Sequence, residues 1–153
     1  MKKAKKSSPK ASPVKSSPKR KRAADATILA RIVEGPVPYL EVTVRERVTE
    51  ASMGGVFERV RDEISRYQAK RLLVDLRGGS VALTISDMLG LAKMVTATFA
   101  GVLERFALLL RPQDVLSERF FEPSVNNRGL PTLVTTDSEE AAYWIATKFR
   151  LGR

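Results

Sequence analysis

The chain has 153 residues, with 27 Lys and Arg, 17 Asp and Glu, no His and no Cys. The absence of His and Cys excludes a Ser-His-Asp triad, a thiol nucleophile and a Cys/His zinc site. It also excludes a disulfide-stapled domain, because such a domain needs pairs of cysteines.

The formal net charge of +10 lies at one end of the chain. Residues 1–24 hold eight Lys, two Arg and no acidic residue, which leaves 17 basic and 17 acidic residues for 25–153. We therefore divide the chain into a basic tail, residues 1–24, and an electrically balanced domain, residues 25–153.

The tail is rich in Lys, Ser and Pro and contains no Leu, Ile or aromatic residue. Such a composition cannot bury enough apolar surface to offset the entropy of ordering, so we predict that the tail is disordered. Three Ser-Pro pairs, at 8–9, 12–13 and 17–18, are each followed by Lys one or two positions later. The repeat resembles the Ser-Pro-Lys tails of linker histones and the Lys-rich arms of bacterial nucleoid-associated proteins.

We predict that the tail binds DNA or another polyanion through phosphate contacts that do not read sequence. An acidic protein partner, a nuclear localisation signal, or a solvated tail without a specific partner are the alternatives. The predicted phosphate contacts are Lys2, Lys3, Lys5, Lys6, Lys10, Lys15, Lys19, Arg20, Lys21 and Arg22. No apolar stretch is long and uncharged enough to predict a membrane span.

The domain begins with two predicted strands, residues 27–33 and 39–44. The short turn between them, at 35–38, indicates an antiparallel hairpin. Thr49 is the predicted N-cap of a helix that ends near Gln68, because apolar residues follow it at spacings of three and four.

The second half of the domain alternates strands and helices. Residues 71–76, 106–110 and 133–135 read as strands. Thr84 with Asp87, and Asp137 with Glu140, are predicted capping boxes for helices over 85–103 and from 138 to about Phe149. A further helical region is predicted over 113–127, with Pro123 breaking or restarting it.

The resulting order of elements is β-β-α-β-α-β-α-β-α. Strands separated by single helices predict a mostly parallel sheet with right-handed crossovers, and the hairpin adds one antiparallel strand. The predicted fold class is therefore α/β with a five-stranded sheet, preceded by a disordered basic tail.

Several segments, taken in order, resemble the STAS domain, the fold of bacterial anti-sigma-factor antagonists, and most closely its SpoIIAA-like (STAS/SEC14-like) branch. The resemblance covers about 27–148 and rests on Leu73–Gly78, Arg105–Leu109, Phe120–Glu122, Asn127–Gly129, Thr136–Asp137, Glu140–Ala141 and Trp144–Ile145. It implies a non-enzymatic interaction module. The sequence also lacks a constellation of catalytic side chains, so we predict no enzymatic activity, no cofactor and no metal.

In anti-sigma-factor antagonists, a Ser in an Asp-Ser pair at the start of the second helix is phosphorylated by a partner kinase. Here Ser86 precedes Asp87, so the pair is reversed, and Thr84 is the other nearby hydroxyl. The resemblance makes Ser86 and Thr84 candidate phosphoacceptors. The alternative is that these hydroxyls only cap the helix.

Arg77 and Arg111 each follow a predicted parallel strand. They would lie at the carboxyl edge of the sheet, where open α/β sheets bind ligands, so they are candidates for an anion site. The alternative is that each pairs with a neighbouring acid.

The predicted helix over 85–103 carries more apolar side chains than one buried stripe requires. It is either a surface for a partner or ligand, or a helix buried more deeply than usual. The candidate surface residues are Met88, Leu91, Met94, Val95 and Phe99.

These observations predict a bacterial cytoplasmic adaptor, associated with the nucleoid if its polyanion is DNA. Its tail binds nucleic acid, and its domain binds a protein partner or itself. Two alternatives remain open. One is an anti-sigma-antagonist-type signalling module whose tail only localises it. The other is a domain that binds a lipid or another small hydrophobe.

Overall fold

A computed structural model describes residues 27–114 and 120–147. The whole tail, residues 115–119 of the predicted 113–127 helix, and Phe149 lie outside the described residues. In chain order the elements are β1 (Ile28–Val33), β2 (Tyr39–Val44), β3 (Arg47–Thr49), α1 (Glu50–Tyr67), β4 (Arg71–Asp75), β5 (Ser80–Ala82), α2 (Ile85–Phe99), β6 (Arg105–Leu109), a 3₁₀ turn (Pro112–Asp114), α3 (Phe121–Asn127), β7 (Thr132–Thr135) and α4 (Ser138–Ala146).

Five of the strands form one sheet in the order β1-β2-β4-β6-β7. β1 is antiparallel to β2, and the remaining neighbours are parallel. The predicted α/β fold with a mostly parallel five-stranded sheet is confirmed, as is the hairpin at its start.

Local capping residues begin three of the helices where the sequence predicts them. Thr49 caps α1, and Thr84 with Asp87 forms a complete capping box at the start of α2. Asp137 caps α4, because its carboxylate accepts hydrogen bonds from the backbone N–H groups of Glu139 and Glu140. The predicted second half of that capping box is wrong, because the Glu140 carboxylate accepts a hydrogen bond from a Thr135 hydroxyl instead.

The predictions miss two local features. β3 and β5 form a separate parallel pair of three residues each. α2 ends at Phe99 rather than at 103, because the chain turns through Gly101, whose φ of +88° is in the region that glycine adopts without strain. The prediction for Pro123 agrees with the structure: it lies in the first turn of α3, where a helix restarts and does not need the missing N–H.

The central strands are buried on both faces. On one face, Leu72 and Val74 belong to the larger apolar cluster, which they share with residues of α1, α2 and α3. On the other face, Leu73 and Leu109 belong to a smaller cluster with Ile145 of α4. Near-continuous apolar runs in β4 and β6 follow from this two-sided burial.

Two arginines at paired positions of β4 and β6 hold the C-terminal end of α4. Arg71 and Arg105 are partners in the parallel register. Arg105, which is 7% exposed, donates to the Trp144 carbonyl oxygen at 2.6 Å and lies 5.1 Å from the centre of the Trp144 ring. Arg71 donates to the Ile145 carbonyl oxygen at 3.0 Å. Because the last carbonyls of a helix lack helical partners and carry partial negative charge, the two guanidinium groups stabilise this end of α4.

Gly79 sets the close approach between the β4–β5 turn and the β2–β3 turn. A Cβ atom at this position would lie 2.1 Å from the backbone oxygen of Glu46. A Cβ atom at the adjacent Gly78 would meet the Cγ atom of the Arg45 side chain at 3.1 Å. The first contact is with backbone that cannot move aside, whereas the second is with a flexible side chain.

We therefore expect Gly79→Ala to lower the free energy of unfolding by about 1–3 kcal/mol, the usual cost of overpacking. The matched substitution Gly78→Ala should cost less than about 1 kcal/mol. Urea denaturation of the full chain measures both values. Equal losses in the two variants would contradict the backbone contact assigned to Gly79.

Candidate interaction site at the carboxyl edge of the sheet

The carboxyl edge of the sheet brings together the ends of β4 and β6. Asp75 and Leu109, the last residues of these strands, are partners in the register. Arg77 and Arg111 each follow two residues later, so both arginines leave the sheet at this edge, as the sequence predicts. The N-terminus of α2 follows β5 in the chain.

Both arginines form ion pairs with neighbouring carboxylates. The Arg77 side chain donates two hydrogen bonds to Asp75, each of 3.0 Å. The Arg111 side chain donates to Asp114 at 2.9 and 3.2 Å. Pairing with a nearby acid is the alternative that the sequence left open for both residues, and an anion site at this edge stays a prediction.

The Asp75–Arg77 pair changes the ionisation of the carboxylate. Burial raises the pKa of Asp75, but the hydrogen bonds donated by the side chain and backbone N–H of Arg77, together with its charge, outweigh that effect. The pKa of Asp75 therefore lies below its usual value. An acid with a lowered pKa is held as a carboxylate, which suits an ion pair better than proton transfer near neutral pH.

At the start of α2, the two candidate phosphoacceptors have different surroundings. The Thr84 hydroxyl accepts a hydrogen bond from the Asp87 N–H at 3.0 Å, and the Asp87 carboxylate accepts one from the Thr84 N–H at 3.0 Å. Ser86 lies exposed in the first turn, and its hydroxyl makes no hydrogen bond to any other residue in the described part of the chain. Thr84 is thus engaged in the cap, and Ser86 is accessible. Phosphorylation of either residue stays a prediction.

The apolar residues predicted as a surface on α2 lie in or against the core. Met88, Val95 and Phe99 are buried, and Leu91 and Met94 are partly buried against the same cluster. Deeper burial, the other interpretation of this apolar helix, therefore describes these five residues, and a partner surface formed by them stays a prediction.

The large apolar side chains that α2 does expose are Ile85, at 51%, and Leu89, at 40%. They are four residues apart and therefore share one face of the helix. The predicted set of surface residues includes neither of them. Ser86 and Gly90, which follow them directly in the sequence, are the only signal there that this side of the helix faces solvent.

Four of the five predicted surface residues line a cavity between the sheet and the helices: Met88, Leu91, Val95 and Phe99. Its volume is about 80 Å³, and every lining residue is apolar. Pockets that hold drug-sized ligands have volumes of about 300–1,000 Å³. The cavity is thus too small for an acyl chain in this conformation, and a ligand role for these residues stays a prediction.

In the described ranges, no helix is long and apolar enough to cross a membrane. The same ranges contain no cluster of three or more acidic side chains that could hold a metal ion.

Comparisons with known proteins bear on the fold. No family model matches the chain, and no curated protein matches it. Among solved structures, it is similar to the crystal structure of an uncharacterized DUF3478-family protein with a SpoIIAA-like fold from Shewanella loihica PV-4. The TM-score is 0.50 at 14% identity, and the match covers 77% of this chain and 93% of that chain.

The fold is SpoIIAA-like. This STAS-type fold agrees with the resemblance inferred from the sequence, and it accounts for the β-hairpin start and the helices that connect the parallel strands. At 14% identity, the likeness concerns the fold alone.

Replacing Arg77 by Gln should raise the pKa of Asp75, because burial and the backbone hydrogen bond would remain while the guanidinium charge is lost. In the wild type, the lowered pKa means that the carboxylate contributes stability above about pH 4 and loses it as the pH falls through the folded pKa. The variant should be less stable at neutral pH and lose less stability on acidification. Carboxyl ¹³C NMR titration and acid denaturation measure the two effects.

Arg111→Gln is the matched control, because Arg111 pairs with Asp114 and not with Asp75. It should leave the Asp75 titration unchanged. If Arg77→Gln also leaves it unchanged, the electrostatic account of this edge is wrong.

Proposed function

We propose that the protein is a non-enzymatic adaptor. Its basic tail binds DNA or another polyanion, and its STAS-like domain binds a protein partner or a second copy of itself. If the polyanion is bacterial DNA, the protein would act in the cytoplasm at the nucleoid.

The separation of charge is the observation that carries this proposal. Residues 1–24 carry +10, and residues 25–153 carry no net charge. A segment of ten cations releases counterions when it lies along a polyanion, and this supplies binding free energy without any fixed structure. A domain of zero net charge gains little from the same effect, so the two parts favour different partners.

The exposed face of α2 supports protein binding by the domain. Ile85 and Leu89 add apolar surface there, and Asp87 and Lys93 are the only charged residues of the helix. Because Asp87 is engaged in the cap, Lys93 is the one charge left to interact along α2. Apolar surface with few charges is typical of the centre of a protein interface.

The ion pairs at the carboxyl edge support a non-catalytic role. Arg77 and Arg111 each bind a neighbouring carboxylate through two hydrogen bonds. Such pairs favour a structural role for these side chains over participation in chemistry.

The two alternatives draw different support. The small apolar cavity favours a protein partner over a lipid, because a lipid would require the core to open. The accessible Ser86 hydroxyl is compatible with an anti-sigma-antagonist-type switch, in which a phosphate would add about −1.5 to −2 charge to the α2 surface.

The test of the tail is duplex-DNA binding by the full chain over a series of salt concentrations. We expect a log–log slope of several units, up to about −9 if all ten cations contact phosphates. A full-length variant with Gln at all ten tail positions should lose both the binding and the slope.

The matched control exchanges Lys and Arg within the tail and keeps its charge. It should bind with nearly the same affinity and slope, since the proposed contacts do not read sequence. Binding that is insensitive to salt, or that survives in the Gln variant, would exclude the tail as the polyanion-binding segment.

A further inference from the structure

The two edge strands of the sheet, β1 and β7, differ in whether their outward backbone groups have hydrogen-bond partners. At the β7 edge, the Asn126 side-chain amide of α3 accepts from the Thr132 N–H at 2.8 Å and donates to the Thr132 carbonyl oxygen at 3.0 Å. The Glu122 carboxylate accepts from the Val134 N–H at 2.9 Å. These backbone groups are the ones that an added strand would bind, so α3 blocks strand addition at this edge.

At the β1 edge, alternate backbone groups point away from the sheet. The Arg45 N–H donates to the Thr27 carbonyl oxygen at 2.7 Å, which makes these two residues a hydrogen-bonded pair. Because such pairs alternate along an antiparallel ladder, the N–H and C=O groups of Ile28, Ala30 and Ile32 face outward. Within residues 27–114 and 120–147, these groups have no hydrogen-bond partner.

The sequence of β1 lacks the usual features that protect an edge strand. The strand reads Ile-Leu-Ala-Arg-Ile-Val, without Pro, Gly or Lys. Arg31 is its one charged residue, and the Glu41 carboxylate pairs with it at 2.7 Å on the same face. Leu29, on that face, is 42% exposed.

We propose that β1 pairs antiparallel with β1 of a second copy of this chain, about a two-fold axis at Ala30. In this register, Ala30 meets the partner's Ala30, and Ile28 meets the partner's Ile32 on both sides of the axis. All three pairs are of the hydrogen-bonded kind, so the contact forms six backbone hydrogen bonds.

The pattern of side chains is self-complementary about this axis. The small Ala30 at the centre leaves room for the two Ile28–Ile32 pairs, and β-branched cross-strand pairs are favourable. On the opposite face, Leu29 lies across from the partner's Arg31, so no two arginines are directly opposed. The zero net charge of 25–153 means that repulsion between the folded domains does not oppose a second copy.

The dimer would join two sheets into one of ten strands. Thr27 of each copy would lie three residues from the axis, so the two tails would begin about 20 Å apart. Two tails on one polyanion raise its affinity through effective concentration. This consequence rests on the proposed function, but the dimer itself is measured without any polyanion, so the two can fail separately.

Sedimentation equilibrium tests the dimer in the full-length variant with Gln at all ten tail positions, at about 0.15 M salt. The Gln tail removes repulsion between the tails, so high salt that would screen the charge pairs at position 29 is not needed. We expect a concentration-dependent monomer–dimer equilibrium, weak because the contact is small. Relative to Leu29→Gln, Leu29→Glu should tighten the dimer and Leu29→Lys should weaken it, each by about two- to thirtyfold, since two such pairs with Arg31 form per dimer.

Folding and association are measured separately for these substitutions. In the monomer, residue 29 has Arg31 two positions away on the same face of β1, and Glu41 and Arg45 lie diagonally opposite on β2. Because these neighbours carry both signs of charge, urea denaturation of each variant at a concentration where it is monomeric measures the effect on folding, and sedimentation measures the effect on association. The proposal would be overturned if the chain stayed monomeric at all concentrations up to several hundred micromolar, or if the dimer affinity did not depend on the charge introduced at position 29.

A cross-link tests the register independently. The chain has no native Cys, so Ala30→Cys introduces a single thiol. Paired Cα atoms about 5.5 Å apart fall in the range that a disulfide spans. Oxidation should give a covalent dimer quickly for Ala30→Cys and slowly for the control Ala97→Cys, an exposed residue of α2. Equal rates would contradict pairing at Ala30.

Discussion

The hydrogen bonds that Arg71 and Arg105 donate to the end of α4 are the interaction on which the burial of both faces of the sheet depends. α4 alone supplies the helical cover for one face of the sheet in the described part of the chain, where Leu73 and Leu109 are buried. The two like charges lie side by side on β4 and β6, and burial and then the nearby Arg71 charge lower the pKa of Arg105. That arrangement is tolerable because the charges meet helix carbonyls, an aromatic ring and the carboxylate of Glu104. Without α4, the strands would expose apolar side chains on a face that no other helix of the described ranges covers.

The charged side chains at the amino and carboxyl ends of the sheet consequently have different partners. At the amino end, Arg71 and Arg105 bind carbonyl oxygens of α4. At the carboxyl end, Arg77 and Arg111 bind acids close to them in sequence, which leaves the start of α2 with its exposed Ile85 and Leu89 as available surface. The lateral edges differ in a similar way, because α3 covers β7, whereas the outward backbone groups of β1 have no hydrogen-bond partner among the described residues. α2 and β1 are therefore the two surfaces proposed for partners.

Local signals predicted much of this structure, and contacts between distant residues decided the rest. The hairpin, the Thr49 cap and the Thr84–Asp87 box are set by neighbouring residues, and the sequence predicts each of them. β3 and β5 are too short to show periodicity, and they pair because Gly79 admits the backbone of Glu46. The burial of Met88, Val95 and Phe99 depends on packing within the cluster that includes Phe121, which no pattern within α2 reveals. The cover on β7 likewise needs Asn126 and Glu122 to meet a strand that comes later in the chain.

The central claim is that the tail, and not the folded domain, contacts the polyanion. The most direct measurement is an amide NMR titration of the isotope-labelled full chain with a short DNA duplex. The account predicts that signals of residues 1–24 shift or broaden first, while signals of the carboxyl edge, Arg77 and Arg111 included, stay in place. Shifts centred on that edge or on α2, with the tail signals unchanged, would contradict it.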